Sequence, residues 1–211
     1  MTNAVRERIL LEALKEVPFT GFSQTTLTLA AERLGASPAE ISALFPHGPA
    51  SLVEAFSHWA DAQIEARMLL DAPERVRDRI AAAVRTRIDV VTPHKEAARR
   101  AAAVVALPTN GTLGPRLLLE SVDAMWRAAG DRSSDFSYYT KRALLAGVYG
   151  STLVYWFSDS SEGHTDSWAF LDARIDDVMK VQKLRGEVER AAASLPDPFG
   201  LLAALRTARP G

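Results

Sequence analysis

Between Gly130 and Arg142 the chain gathers Asp131 and Asp135, the tyrosine pair Tyr138-Tyr139 and the basic pair Lys141-Arg142. Phenols beside charges are binding chemistry, because tyrosine with neighbouring charge is a favoured anchor at protein interfaces. The next residues, Ala143 to Phe157, are apolar around the whole helical circumference, which predicts a helix enclosed by others. Inside that run Gly147 and Gly150 each cost about 1 kcal/mol relative to alanine, so they require a close helix crossing or room beside the backbone for a ligand. The combination suggests a contact surface mounted on the wall of a hydrophobic pocket, and hence a lipid handler. Candidate pocket residues are Met125 and Trp126 on the preceding helix, Leu117, Leu118 and Val122 by spacing, and Gly147, Gly150 and Val154 on the apolar helix. Candidate contact residues are Asp131, Asp135, Tyr138, Tyr139 and Arg142. Plainer readings stand beside these: an aromatic or aliphatic stripe packs a core, Gly130 ends one helix, and Ser133 or Ser134 caps the next with Asp135 complementing its dipole.

Catalytic parts are few. The four histidines, His47, His58, His94 and His164, are scattered, and His58 with Asp61 or Glu54 reads as a solvated polar pair on one helix. No Glu-x-x-His occurs, so a di-iron bundle lacks its ligands, and there is neither a Gly-rich phosphate loop nor a Gly-x-Ser-x-Gly elbow. The absence of cysteine excludes disulfides, thiolate metal ligands and thiol catalysis, and fits a reducing compartment. No catalytic residue, metal or cofactor is therefore expected. With 211 residues, 47% of them apolar and 24% charged, the chain can bury a substantial core, and its net charge of -1 gives no general attraction to nucleic acid. The segment from Met1 to Arg8 lacks an apolar signal core and carries Glu7, so the mature chain is expected to begin at Met1 and to reside in the cytoplasm. The run Ala143 to Phe157 falls short of the roughly 20 residues needed to span a bilayer.

Apolar periodicity is helical almost throughout and no alternating strand pattern stands out, so the fold class is all-α. A first helix, about Asn3 to Val17, carries the stripe Val5, Ile9, Leu10, Ala13, Leu14 and ends at Pro18 and Gly21. Short helices follow near Leu27 to Leu34 and from Pro38 to Leu44, the second opened by a Ser37 cap and a proline at its first position. After Pro46-Gly48-Pro49 a longer helix runs from about Ala50 to Leu70. Asp71 and Thr92 are read as caps before Pro73 and Pro93, starting two more. Helices from about Pro115 to Ala129, through the apolar run to Asp159, and from Thr165 to Ala193 complete the series. The expected organisation is a three-helix module at 1–49, a larger helical domain at 50–195 and a tail at 196–211. In the tail, Phe199, Leu201, Leu202 and Leu205 gather on a short helix with Arg206 and Arg209 at its basic end, a pattern suited to a membrane interface or to docking on the protein's own core.

The long-short-short order of the first helices, broken at Gly35-Ala36-Ser37, has helix-turn-helix spacing. Followed by a larger helical part, it resembles the TetR-type repressors, in which the second part encloses a small apolar ligand and mediates dimerisation. The presumed reading helix offers only Glu40 and two serines, Ser37 and Ser42. Between Thr20 and His58 one cation, Arg33, stands against Glu32, Glu40 and Glu54, a formal balance of -2. Base edges are read mostly by basic or amide side chains, and phosphate binding needs several cations, so nucleic acid is not an expected partner. A ligand-sensing regulator remains the alternative reading.

Longer words carry a more specific likeness: Val17-Pro18-Phe19-Thr20-Gly21-Phe22-Ser23, Leu44-Phe45-Pro46-His47-Gly48, Gly130-Asp131-Arg132-Ser133-Ser134-Asp135 with Tyr139-Thr140-Lys141-Arg142, and Asp159-Ser160-Ser161. Together, over about Arg6 to Met179, the chain resembles the ubiquinone (coenzyme Q) biosynthesis accessory family, the COQ-nine proteins, which have a TetR-like fold. The resemblance implies a non-catalytic homodimer that binds an isoprenoid quinone or related lipid, associates peripherally with the inner membrane and presents the lipid to a ring hydroxylase of the pathway. Phe22 and Tyr138 stand where that family often has tryptophan, the second of them in the partner-binding patch.

Overall fold

The computed structural model describes residues 2–69, 73–131 and 136–193, and there the chain is helical without strands. Nine α-helices lie among the described residues: α1 (Thr2–Thr20), α2 (Gln24–Leu34), α3 (Pro38–Leu44), α4 (Pro49–Met68), α5 (Val76–Val91), α6 (Lys95–Val105), α7 (Leu113–Ala128), α8 (Phe136–Ser158) and α9 (Thr165–Ala193). Packing divides the chain into one compact unit through Asp172 and a second from Ala173 onward. The tail residues Phe199, Leu201, Leu202 and Leu205, the expected caps Asp71 and Ser133 or Ser134, and the contact candidate Asp135 lie outside the described residues.

Local chemistry accounts for the short elements. Ser23 accepts from the Thr26 amide to start α2, and Gly35, at φ +66°, ends it in the left-handed region that glycine enters without strain. Ser37 and Glu40 form a reciprocal capping box around α3, with Pro38 where no amide hydrogen is needed. Two expectations shift. Pro18 sits inside the last turn of α1 instead of ending it, and Gly21 closes the helix three residues later, its amide donating to the Val17 carbonyl. Thr92 is not an N-cap: its hydroxyl donates back to the Ile88 carbonyl at 2.8 Å, and a 3-10 turn over Thr92–His94 leads into α6.

In the first unit α4 is the helix that neighbours surround. It packs on α1, α2, α5, α6 and α7, and Leu52, Val53, Phe56, Ala60, Ile64 and Met68 are all buried. The sequence assigns that central place to α8, and there the structure differs. Arg142, Leu145, Val148, Tyr149, Thr152 and Trp156 form one buried stripe of α8. The opposite face, with Ala143, Gly147, Ser151 and Val154, is open, and Val154 is 68% exposed. Small and apolar residues all round a helix do not distinguish a core helix from one whose second face is left free.

The turn from α8 to α9 is built on Asp159, whose side chain is 1% exposed. One carboxylate oxygen accepts from the Ser161 amide and hydroxyl at 2.7 and 2.6 Å, the other from the Ser167 amide and hydroxyl at 3.0 and 2.5 Å. Burial alone would raise its pKa, but these four donors outweigh burial and hold it well below the usual carboxylate range. Asp159→Asn, which loses charge-assisted bonds, should destabilise the fold by about 2 kcal/mol at neutral pH, or roughly 4 to 8 °C in Tm. Because the native carboxylate resists protonation, its contribution is complete above about pH 4 and declines below it. Melting curves should therefore show the variant and the parent converging as the pH is lowered.

Candidate functional site

A cavity of about 250 Å³ lies in the first unit, walled by α4, α5, α6, α7 and α8. Its apolar walls include Val53, Phe56 and Ala60 of α4, Val91 of α5, Val105 of α6, Leu117 and Leu118 of α7, and Leu153 of α8. Ala98, Ala101 and Ala102 of α6 also line it, and it is at these small side chains that packing leaves space. Gly150 lines it too, and a Cβ placed there would meet nothing within 4 Å, so of the two reasons for a helical glycine the structure shows room beside the backbone. Gly147 is equally unobstructed but belongs to the open face of α8. The close helix approach occurs at Gly114 instead, where a Cβ would come within 3.3 Å of Val105.

Four polar side chains line this otherwise apolar space: Ser57, Arg87, Ser121 and Tyr149. Arg87, only 6% exposed, is the hub. Its Nε donates to Asp61 Oδ1 at 2.7 Å, Nη1 to the Tyr149 hydroxyl at 2.5 Å, and Nη2 to the Ser57 and Ser121 hydroxyls at 3.0 Å each. Ser121 donates onward to Asp61 Oδ2 at 3.0 Å, so both carboxylate oxygens are satisfied. Burial works against the Arg87 charge, and Tyr149 and Asp61 more than offset it. Burial also pushes the Tyr149 phenol up, against the pull of Arg87, so it keeps its proton at neutral pH. Sequence reasoning missed this cluster and placed Asp61 with His58 in solvent. Instead Asp61 is buried against Arg87, while His58 faces out and meets Glu120 of α7 at 2.9 Å. The available signal was Ser57 and Asp61, four residues apart on the buried stripe of α4 that also carries Val53, Ala60 and Ile64.

The pocket candidates from sequence separate into three groups. Leu118 and Gly150 line the cavity, as does Leu117. Met125 and Val122 are fully buried but are not among its lining residues, and Trp126 lies half-buried beneath the Lys141 ammonium, 5.5 Å from its ring. Gly147 and Val154 are on the open face of α8.

The contact candidates separate as well. Arg142 is buried between Asp123, reached at 2.8 Å through Nε and at 2.6 Å through Nη2, and Asp131 at 3.5 Å, with its guanidinium 3.3 Å from the centre of the Tyr138 ring. Tyr138 donates to Asp123 at 3.2 Å, and Lys141 pairs with Asp131 at 2.9 Å. Burial of Asp123 is outweighed by these donors and by Arg127, which lowers its pKa. Asp131, Tyr138 and Arg142 thus join α7 to α8, whereas Tyr139, edge-on to Tyr138 at 5.2 Å, is 73% exposed. Asp123 was invisible as a member of the group because its partner Arg142 lies on a different helix.

Three N-terminal helices, one long and two short, followed by helices around an apolar cavity make the TetR-like all-α architecture. The structure matches that of a TetR transcriptional regulator from Nitrosomonas europaea with a TM-score of 0.63 and 19% identity, covering 82% of this chain and 97% of that one, a likeness of fold. Residues 112–182, from the start of α7 into α9, match the family model described as COQ9. Over 193 residues the chain is 33% identical to the mitochondrial ubiquinone biosynthesis protein COQ9 of Drosophila melanogaster, covering 89% of this chain and 59% of that protein. Against the Rattus norvegicus protein of the same name the identity is 34% over 200 residues, covering 90% and 64%. The chain belongs to the COQ9 family. It spans about three fifths of the length of these relatives. No helix among the described residues is long and apolar enough to cross a membrane.

Removing one member of a buried ion pair leaves the other charge uncompensated, which typically costs about 3 to 5 kcal/mol. Asp61→Ala should lower the unfolding free energy by that amount in urea titrations, whereas Glu120→Ala, at the exposed His58 pair, should change it by less than about 1 kcal/mol.

Proposed function

We propose that this chain is a non-catalytic, lipid-binding accessory protein of ubiquinone biosynthesis, which takes an isoprenoid quinone intermediate into the cavity among α4 to α8 and presents it to a ring hydroxylase. The observation that carries this reading is the cavity itself: an apolar space lined by small side chains, with its polar groups in a single cluster, in a chain whose relatives are named ubiquinone biosynthesis proteins. An engineered apolar cavity of 150 Å³ holds benzene, so about 250 Å³ suits a ring with a short apolar extension while a longer tail continues outward. The open face of α8, with Ala143, Gly147, Ser151 and Val154, supports a homodimer in which a second copy covers it. Tyr139 is the exposed anchor for the partner enzyme, backed by Tyr138 and the Asp123–Arg142 pair. Peripheral contact with the inner membrane is assigned to the tail at 196–211.

The TetR-like fold raises the alternative of a transcriptional regulator. Against it, α3 carries no cation and the segment from Thr20 to His58 has a formal charge of -2.

Gly150→Leu should keep the fold, with an overpacking penalty of about 1 to 3 kcal/mol at most, and should lower the lipid recovered with the purified protein by mass spectrometry. Undiminished lipid in a folded variant would place the ligand elsewhere. Tyr139→Ala should weaken binding to the hydroxylase by about 1 to 2 kcal/mol with an unchanged Tm. A matching loss of stability and no loss of binding would remove Tyr139 from the interface.

A further inference from the structure

The buried cluster on the cavity wall contains donors that the protein does not use. Arg87 donates to the hydroxyl oxygens of Tyr149, Ser57 and Ser121, so each of these oxygens is occupied as an acceptor and its own proton must find another partner. Ser121 finds one in Asp61 Oδ2 at 3.0 Å. Among the described residues the Tyr149 proton meets no acceptor, and the Ser57 proton has only Ser121 Oγ at 3.5 Å, the outer limit for such a bond. Two O–H donors lining one small cavity are thus held by the same guanidinium, one with its proton unmatched and the other with its proton held only at that outer limit.

Charge narrows the choice of acceptor. Arg87 is the single ionisable group at neutral pH among the cavity's lining residues, and its charge is already balanced by Asp61. A carboxylate entering this space would bring an uncompensated charge into apolar surroundings, whereas a neutral oxygen would accept from Tyr149 and Ser57 at no such penalty. The guanidinium, engaged with four side chains, acts through the two hydroxyls.

We propose that Tyr149 and Ser57 form a recognition site for a neutral carbonyl oxygen borne on an apolar ring, such as that of a quinone or an aryl ketone. The inference rests on the cavity being the ligand site and adds which atom of the ligand is read and by which donors. It also sets an orientation, with the oxygenated edge of the ring at α8 and α4 and the apolar remainder toward the alanines of α6.

The test compares three probes of similar size on the delipidated full chain by isothermal titration calorimetry: 2-methyl-1,4-naphthoquinone, 2-methylnaphthalene and 2-naphthoate. The chain has no cysteine for the quinone to alkylate. The quinone should bind tightest and the carboxylate weakest. Tyr149→Phe and Ser57→Ala should each reduce quinone affinity by about 2- to 13-fold, the range expected for one hydrogen bond, and leave 2-methylnaphthalene binding unchanged. Ser57→Ala alone suffices should Tyr149→Phe fail to fold. Equal affinity for quinone and hydrocarbon, or the same response of both to the substitutions, would overturn carbonyl recognition while leaving the lipid-binding cavity intact. Preference for 2-naphthoate would overturn it in favour of an anion site. Failure of all three probes to bind would remove the cavity as a ligand site and the inference with it.

Discussion

The Asp61–Arg87 ion pair sets the terms for the larger unit. Desolvating two charges costs several kcal/mol per ion unless geometry and further hydrogen bonds offset it, and here the offset is drawn from four helices at once. Asp61 and Ser57 come from α4, Arg87 from α5, Ser121 from α7 and Tyr149 from α8. Sliding any one helix by a turn would strand a buried charge or hydroxyl, so the pair fixes the register of the helices that wall the cavity. A purely apolar plug would stabilise the bundle about as well. What the ionic version adds is polarity at one defined place in an apolar cavity.

Space around that place is left by small side chains. Ala98, Ala101 and Ala102 on α6 and Gly150 on α8 leave volume that leucines at the same positions would fill. Protein interiors are close-packed, so a gap of this size between well-packed helices records a choice of residues rather than loose folding. Gly114 shows the contrast: there the missing side chain lets α6 and α7 approach closely, and a Cβ would press on Val105.

The helix α8 has two separate duties. Its buried stripe delivers Tyr149 to the cavity and Arg142 to Asp123, while its other face is small, partly apolar and open. Near its N-terminal end the same arrangement that buries Arg142 leaves Tyr139 projecting, backed by Tyr138. The ion pairs of Asp123 and Asp131 with Arg142 therefore act as the mount for an exposed aromatic, and Asp131 and Arg142, which look like part of a contact patch in the sequence, are its internal supports.

What the sequence by itself determined is local. The Ser37-Pro38-Glu40 cap, the stop at Gly35, the helical period of the described segments and the polar turn after Ser158 follow from interactions within a few residues, and these are present where the spacing puts them. Two of the family words, Leu44 to Gly48 and Asp159 to Ser161, lie in such turns, which is why they are readable. Tertiary structure decided the rest. Arg87 meets Asp61 across 26 residues and Tyr149 across 62, and nothing in the period of α4, α5 or α8 says which polar residue will face which. The enclosed position of α4, the open face of α8 and the separation of Leu118 and Gly150 from Met125 and Val122 likewise depend on how the helices cross. Period reveals which side of a helix is apolar, but only the crossing of helices determines whether that side meets a neighbour, a cavity or solvent.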